Sequence, residues 1–402
     1  MDSEAVDILI AGGGPVGAAL ALALEGSGHS VVLAEARSAD SHGARSADSH
    51  GARSADSHGA RSANSGDARA IALSYASRLI LERLHAWSGL PVTPIETIHI
   101  SQRGGFGRTL IRAADCDLPA LGYVVNYDDL QQSLLAAPCS ARLLSGARLT
   151  GFDGRTATVH TQQGKLAFAP RLMVFADGAR IADDPPVPAY SKDYRQTALV
   201  AWVKTAQAHQ GRAWERFTPE GPLALLPHTT GYALVWTTGP DRGARLAALD
   251  TAAFLAELHA AFGERLGAFI EAGARSAFPL ALRYRRAEIR PRSLAVGNAA
   301  QTLHPVAGQG FNLGLRDAWE LARLARETGE PGSDSFIDGY RRARALDRRA
   351  GIQFTDSLVG LFSNSDALLR FGRGAGLLAL DLLPLARRFV ARRMIYGARA
   401  LP

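Results

Sequence analysis

The sequence predicts an α/β protein: a β-α-β unit at the N-terminus, a mostly antiparallel sheet inserted later, and a helical C-terminal region. Three observations carry that expectation. Val6-Asp-Ile-Leu-Ile-Ala11 is a short apolar run of strand type, Gly12-Gly-Gly-Pro-Val-Gly17 is a turn, and Ala18-Ala-Leu-Ala-Leu-Ala-Leu-Glu25 is built from strong helix formers. From Gln196 to Thr238 the pattern becomes strand-like. Most of 333–400 then reads as helix.

Taken in order, Gly26 and Gly28 stop the first helix, and His29-Ser-Val-Val-Leu-Ala34 is a second strand ending at Glu35. Ala-Arg-Ser-Ala-Asp-Ser-His-Gly then occurs at 36–43, 44–51 and 52–59, with a decayed fourth copy at 60–67. Alanine is its sole apolar residue, too little to offset the entropy of ordering, so a surface loop is expected. His42, His50 and His58 recur every eight residues, without the fixed geometry a metal needs, and no metal site is expected. Ala72 to Trp87 and Tyr127 to Ala137 read as helices, and Leu172-Met-Val-Phe-Ala176 as a buried strand ending at Asp177-Gly178. Thr197–Val203, Trp214–Thr218 and Tyr232–Thr237 are strands of the inserted sheet. Trp202, Trp214 and Trp236 lie on them, with core packing the first reading and a substrate wall the second. Ser293-Leu-Ala-Val-Gly297 returns to the buried-strand type, Gly310 to Ala325 is a helix, and the C-terminal helices are expected to break at Gly372, Gly376 and Pro384.

Composition narrows the function classes. The chain has 402 residues, 47% hydrophobic and 21% charged, the balance of a globular protein of about two or three domains. Cys116 and Cys139 make neither a disulfide framework nor a metal cluster. No run reaches the roughly 18 apolar residues of a spanning helix, and the acidic N-terminus is unlike a signal peptide, so a cytoplasmic location is expected. The net charge of +7 is concentrated: residues 341–402 hold twelve arginines against four aspartates, with no lysine or glutamate. Arginines mixed with leucine and phenylalanine suit an anionic membrane surface better than nucleic acid, so no nucleic-acid partner is expected.

The glycine spacing carries chemistry because it has its full context of strand before, helix after, and an acid closing the second strand. Gly12 permits the tight turn, Gly14 lets backbone approach a pyrophosphate, Gly17 lets helix pack on strand, and Glu35 can accept from an adenosine ribose. The helix start offers free N–H groups to phosphate. A nicotinamide dehydrogenase would continue into further β-α units. This chain returns instead, nearly 280 residues later, with Leu294-Ala-Val-Gly-Asn-Ala-Ala-Gln-Thr-Leu-His-Pro-Val-Ala-Gly-Gln-Gly-Phe-Asn-Leu-Gly-Leu-Arg-Asp317, a second strand, turn and helix start.

On these residues the chain resembles the class A flavoprotein aromatic monooxygenases, and within them the ubiquinone-biosynthesis hydroxylases of the 2-polyprenyl-6-methoxyphenol hydroxylase type. Further matches are Asp67-Ala-Arg-Ala-Ile-Ala-Leu-Ser74, Gly122-Tyr-Val-Val, Tyr194-Arg-Gln-Thr-Ala198 and Arg216-Phe-Thr-Pro-Glu-Gly-Pro-Leu-Ala-Leu-Leu-Pro227. The resemblance implies a para-hydroxybenzoate-hydroxylase-like fold, with a Rossmann-type FAD-binding domain from 1–94, 122–183 and 286–330 and the repeat as a loop at 36–66. It further implies a substrate-binding sheet domain from 95–121 and 184–285 and a C-terminal helical region from 331–402.

It also implies roles. Gly12, Gly14, Gly17 and Glu35 would hold the ADP half of FAD, Arg69 would lie beside the cofactor, and Asn126 and Asn298 would lie by the ribityl and pyrophosphate region. Asp177 belongs to a motif associated with FAD and nicotinamide phosphates. Its departures are Phe175 in place of a leading glycine and the loss of the motif's later serine and arginine. Gly308, Gly310, Phe311 and Asn312 would line the flavin ring, with backbone N–H groups of the last three at its N1–C2=O edge. Pro305 would sit by the reacting face with His304 beside it, a residue for proton transfer or a structural hydrogen-bonding member of the turn.

The activity implied is hydroxylation of a polyprenylated phenol by O2 through a C4a-hydroperoxide of FAD, with NAD(P)H as electron donor. Other ubiquinone-biosynthesis proteins would be partners, and the inner membrane a place of peripheral association. Two other readings stay open: hydroxylation of a soluble aromatic compound, and a non-catalytic assembly role in a quinone-biosynthesis complex.

Overall fold

The computed structural model of the chain describes residues 3–37, 69–178, 189–285, 290–364 and 366–398. Residues 38–68, which hold the octad repeat beyond Ala36 and Arg37 with His42, His50 and His58, and the departures after Gly178, lie outside the described residues. The chain opens with β1 (Glu4–Ala11), α1 (Pro15–Ala23), β2 (Val31–Glu35), β3 (Ala70–Ser74) and α2 (Tyr75–Arg83). Then come β4 (Thr93–Ile95), β5 (Thr97–Gln102), β6 (Arg108–Arg112), β7 (Gly122–Asn126) and α3 (Tyr127–Ala136). Four strands follow: β8 (Arg142–Ser145), β9 (Arg148–Phe152), β10 (Ala157–Thr161) and β11 (Gly164–Phe175). The middle is β12 (Ala189–Thr205), β13 (Arg212–Thr218), β14 (Gly221–His228), β15 (Gly231–Thr238), α4 (Pro240–Ala248), α5 (Thr251–Phe262), β16 (Phe269–Ala272) and β17 (Ser276–Arg285). The last part is β18 (Ser293–Ala295), β19 (Gln301–Thr302), α6 (Gln309–Thr328), α7 (Asp334–Phe362), α8 (Ala367–Leu382) and α9 (Pro384–Tyr396).

The first sheet has the order β8-β2-β1-β11-β10-β9, with β18 paired to β11. Its centre is parallel, β1 against both β2 and β11. Continuous apolar runs suit these strands because both faces are covered. Ile8, Ile10, Leu33, Leu172 and Val174 pack with α1 and α6 on one side, while Leu9, Val32, Met173 and Phe175 fill a second core on the other.

The second sheet runs β19-β17-β12-β15-β14-β13-β5-β6, with β16 on β12. Its period-two alternation separates two faces. Leu199, Leu223, Leu225, Leu234 and Trp236 pack against Leu246, Phe254, Leu258 and Phe262 of α4 and α5. The opposite face is left for the cavity described below. A third sheet, β3-β7-β4, lies against β14 of the second through β4 and β7.

Two expected elements differ. The helix expected from Ala72 starts at Tyr75, because Ala70–Ser74 pairs with β7, Ala72 opposite Val124. Ser74 then caps α2, its hydroxyl accepting from the Ser77 N–H at 3.2 Å, as N-cap serines do. The expected breaks at Gly372 and Gly376 are absent, both glycines lying inside α8. The break falls earlier, where Asp366 caps α8 by accepting from the Leu369 N–H at 2.8 Å. Their neighbour Gly374 serves close approach: a Cβ there would lie 2.7 Å from the Phe106 carbonyl in the β5–β6 loop.

Candidate active site

The β1–α1 turn has the geometry its glycines require. Gly12 has φ +107°, and a Cβ on it would lie 2.5 Å from the Asp177 backbone. A Cβ on Gly17 would collide with the Gly12 carbonyl. Gly14 is different: a Cβ there would meet only the Tyr127 hydroxyl, at 3.6 Å, so the space over the turn is open. Glu35 reaches back to accept from the Gly13 N–H at 2.7 Å and from the Arg37 N–H at 2.8 Å. Its carboxylate keeps further acceptor capacity beside these two bonds. Gln131 of α3 donates to the Gly13 carbonyl, bracing the turn from the other side.

The second motif folds against the first. A Cβ on Gly297 or Gly314 would come within 3.1 Å and 3.0 Å of Val16 in α1, so segments nearly 300 residues apart share one place. Asp317 fixes the arrangement. Its Oδ2 accepts from the Gly297 N–H at 3.3 Å and Gln301 Nε2 at 2.7 Å, while its Oδ1 accepts from Arg344 Nε at 2.7 Å. Burial acts against the Arg344 guanidinium, but Asp317 and Asp347 outweigh it and hold the proton more firmly than usual. Asn312, expected to offer its backbone to the flavin, uses its side chain as a clasp. It accepts from the Ser74 N–H at 2.8 Å and the Ser77 hydroxyl at 2.6 Å, and donates to the carbonyls of Ala72 and Gly308.

α1 and α6 begin at Gly14 and Gly308 with no side-chain cap and no acid in the first turn. α2, α5, α7 and α8 are capped by Ser74, Asp250, Ser333 and Asp366, α3 and α4 carry acids in their first turns, and α9 starts uncapped at Leu383. Two uncapped N-termini beside open space suit the pyrophosphate and the electron-rich ring edge of a flavin dinucleotide, so the donors present fit FAD. Arg69 lies over the Tyr127 and Phe278 rings, 5.4 Å and 5.8 Å from their centroids. Asn126 Oδ1 accepts from His228 Nε2 at 2.9 Å, and its amide nitrogen donates to Asp129 at 3.1 Å.

A model of the FAD binding domain matches residues 136–355. The chain is 34% identical to the ubiquinone hydroxylase UbiL of Rhodospirillum rubrum, covering 97% of this chain and 90% of that protein. The chain belongs to the ubiquinone-hydroxylase family of FAD-dependent monooxygenases. It is 30% identical to the 3-demethoxyubiquinol 3-hydroxylase of Escherichia coli, over 96% of this chain and 98% of that one. The crystal structure of p-nitrophenol 4-monooxygenase PnpA from Pseudomonas putida superposes with a TM-score of 0.73 at 17% identity, covering 98% and 99% of the two chains. The fold is that of the para-hydroxybenzoate-hydroxylase-type flavin monooxygenases, and the chain is an FAD-dependent aromatic-ring hydroxylase.

The hydroxylase has a cavity of about 2340 Å³, far above the roughly 300–1,000 Å³ of ordinary ligand pockets. Arg69, Asn298, His304, Pro305 and Gly308 to Asn312 line it; the Gly12–Gly17 turn, Glu35, Asn126 and Asp177 are not among its lining residues. The cavity therefore holds room for a flavin ring and a large substrate together. One wall is the free face of the second sheet, where Ile100, Glu215, Ala224, Val235, Val200 and Ser276 form a continuous row through paired registers. Trp236 packs in the core, Trp214 packs there and also lines the cavity, and Trp202 lines the cavity.

His304 is buried, and its Nδ1 accepts from the Val306 N–H at 3.1 Å. Burial holds its pKa down at about 4, so the ring is neutral with its proton on Nε2. Sequence reasoning missed Glu215 and His228, which also line the cavity. The available signal was an acid at an inward position of an alternating strand, Ala213-Trp-Glu-Arg-Phe217.

Proposed function

We propose that this hydroxylase acts on the aromatic ring of a polyprenylated phenol, a precursor of ubiquinone. The observation that carries the reading is the cavity's other wall. Residues from α7, α8 and α9, among them Leu361, Leu368, Phe371, Leu377 and Ile395, line it. On the same helices Leu368 is 79% exposed, Phe371 63%, Leu382 68% and Leu385 83%. An apolar cavity bounded by helices that also present apolar residues outward suits a lipid-tailed substrate arriving from a bilayer. No helix among the described residues is long and apolar enough to cross a membrane. The arginines beside these leucines, Arg370, Arg388 and Arg392, suit association with an anionic surface.

FAD, once bound and reduced by NAD(P)H, would supply the activation of O2 and the transfer of one oxygen atom. The α1 N-terminus above Gly14 would take the pyrophosphate, with Glu35 at the adenosine ribose and Asp177, Asn298 and Asn126 along the connecting chain. The α6 N-terminus at Gly310, Phe311 and Asn312 would stabilise negative charge on the ring. Pro305 and the neutral His304 would close the reacting face against water, and the apolar wall keeps the site dry. The test offers the FAD-loaded protein a short prenylated methoxyphenol and p-hydroxybenzoate in parallel, with products read by mass spectrometry. Hydroxylated prenylphenol is the expected product. Turnover of p-hydroxybenzoate with the prenylphenol untouched would assign a soluble aromatic substrate instead.

A further inference from the structure

Two carboxyl groups line the cavity, Asp193 and Glu215. Asp193 is exposed and accepts from the Arg195 N–H at 2.8 Å. Glu215 has no hydrogen bond or ion pair among the described residues, and its Oε1 is buried without a partner. It stands on β13 with Ala213 and Phe217 on the same face, Ile100 opposite it on β5 and Ala224 opposite it on β14. None of these neighbours is charged or polar. The side chain keeps some accessible surface, and that surface belongs to the cavity. Phe217 joins one apolar cluster with Val306, the residue after Pro305, which sets this part of the wall at the flavin end.

A lone acid in an apolar wall costs stability that an apolar residue would not. Such a group is explained when a ligand completes it. We propose that Glu215 is a catalytic residue that receives the substrate's phenolic hydroxyl group and takes its proton. The inference rests on the reading of the substrate as a phenol.

The transfer breaks the phenol O–H bond and leaves its electron pair on oxygen, while the proton joins a Glu215 carboxylate oxygen. The phenolate feeds electron density to the ring carbons ortho and para to it, where the oxygen atom arrives from the flavin side. When the new C–O bond has formed, the ring hydrogen at that carbon leaves as a proton, which would neutralise the oxygen left on the flavin side. Glu215 returns its own proton to the product's original oxygen and ends as it began. Burial raises the Glu215 pKa to about 7, the range in which a general base works best near neutral pH.

The experiment compares a prenylated phenol with its O-methyl ether, which lacks the hydroxyl donor, by titration calorimetry on the FAD-loaded protein. Wild type is expected to bind the phenol at least about tenfold more tightly than the ether, and Glu215→Leu to erase that ratio. Glu215→Gln, nearly isosteric, keeps an acceptor oxygen and most of the preference. Its single-turnover hydroxylation is expected to fall by about 10²-fold or more, with flavin content unchanged, because an amide cannot take the proton. A preference that survives in Glu215→Leu, or a Glu215→Gln variant with wild-type hydroxylation, overturns the assignment and leaves the substrate reading standing. If wild type binds neither compound while holding FAD, the substrate reading fails and this proposal with it.

Discussion

Replacing Arg344 by leucine removes the cation that serves one oxygen of a carboxylate with no solvent contact. Arg344 is 7% exposed and Asp317 0%, at 2.7 Å. The substitution leaves Asp317 Oδ2 on its two neutral donors and strips Oδ1, while Asp347 keeps Arg316 at 2.8 Å. Removing one partner of a buried pair costs about 3–5 kcal/mol, because the other charge stays buried. Unfolding entropy of about 2.1 cal/mol/K per residue, over a chain of this length, converts that to a fall in Tm of about 4–6 °C. Calorimetry on the wild type, Arg344→Leu, Asp317→Asn and the double variant checks the origin of the loss. The double variant is expected to be more stable than the sum of the singles allows, since an asparagine leaves no charge behind. FAD retention is expected to weaken in Arg344→Leu, because Asp317 also holds the Gly297 turn. A Tm within 1 °C of wild type, on the order of the measurement error and well below the fall derived above, or strict additivity, would refute the reasoning.

Gly14→Val is expected to fold with a wild-type Tm in the absence of flavin, since its Cβ meets only the Tyr127 hydroxyl, yet to emerge colourless from FAD reconstitution. Yellow protein at full occupancy would place the pyrophosphate elsewhere. His304 has a folded pKa near 4, below its ordinary 6.5, so the stability tied to its neutral form is complete above pH 6.5 and drains away as pH falls toward 4. The full loss is about 3 kcal/mol, and His304→Gln should flatten the slope of Tm against pH in that window; an unchanged slope would count against it. Asp347 behaves likewise at lower pH. Burial opposes its charge, but Arg316 and Arg344 hold its pKa down at about 2, so its contribution is lost between about pH 4 and pH 2, and Asp347→Asn should blunt that acid limb. Flotation with anionic liposomes is expected to fall with rising salt and to drop in Leu382→Glu/Leu385→Glu; equal binding to neutral vesicles would remove the electrostatic part.

The first β-α-β unit was legible because every local signal agrees: apolar run, glycine turn, alanine-leucine helix and closing Glu35. The second motif was legible for the same reason. What escaped were features set by distant partners. Ala70–Ser74 has the composition of a helix start, and its pairing with β7 overrides that composition. Gly372 and Gly376 looked like breaks, but a glycine inside a helix costs only about 1 kcal/mol relative to alanine, and the anchoring of α8 outweighs it. Gln102 donates to the Arg370 carbonyl at 3.0 Å, and Asp381 accepts from the Leu110 N–H at 3.0 Å. For the site, the glycine motifs pointed to a dinucleotide at two helix starts, and those starts are uncapped. The substrate wall stayed hidden because alternation in β12 to β15 shows two apolar faces, and the sequence does not say which one α4 and α5 will cover.

That two-faced sheet has a consequence for how such an enzyme can change its substrate. Ala198, Ala213, Ala224 and Ala233 face the cavity, while Leu199, Leu223, Leu225 and Trp236 near them pack against the helices. Each small residue is thus a notch on a ruler laid along the wall. Enlarging one reduces the space available to the substrate without disturbing the packed side that keeps the sheet folded. Cavity shape and fold stability are written on opposite sides of the same strands, so either can drift while the other holds still.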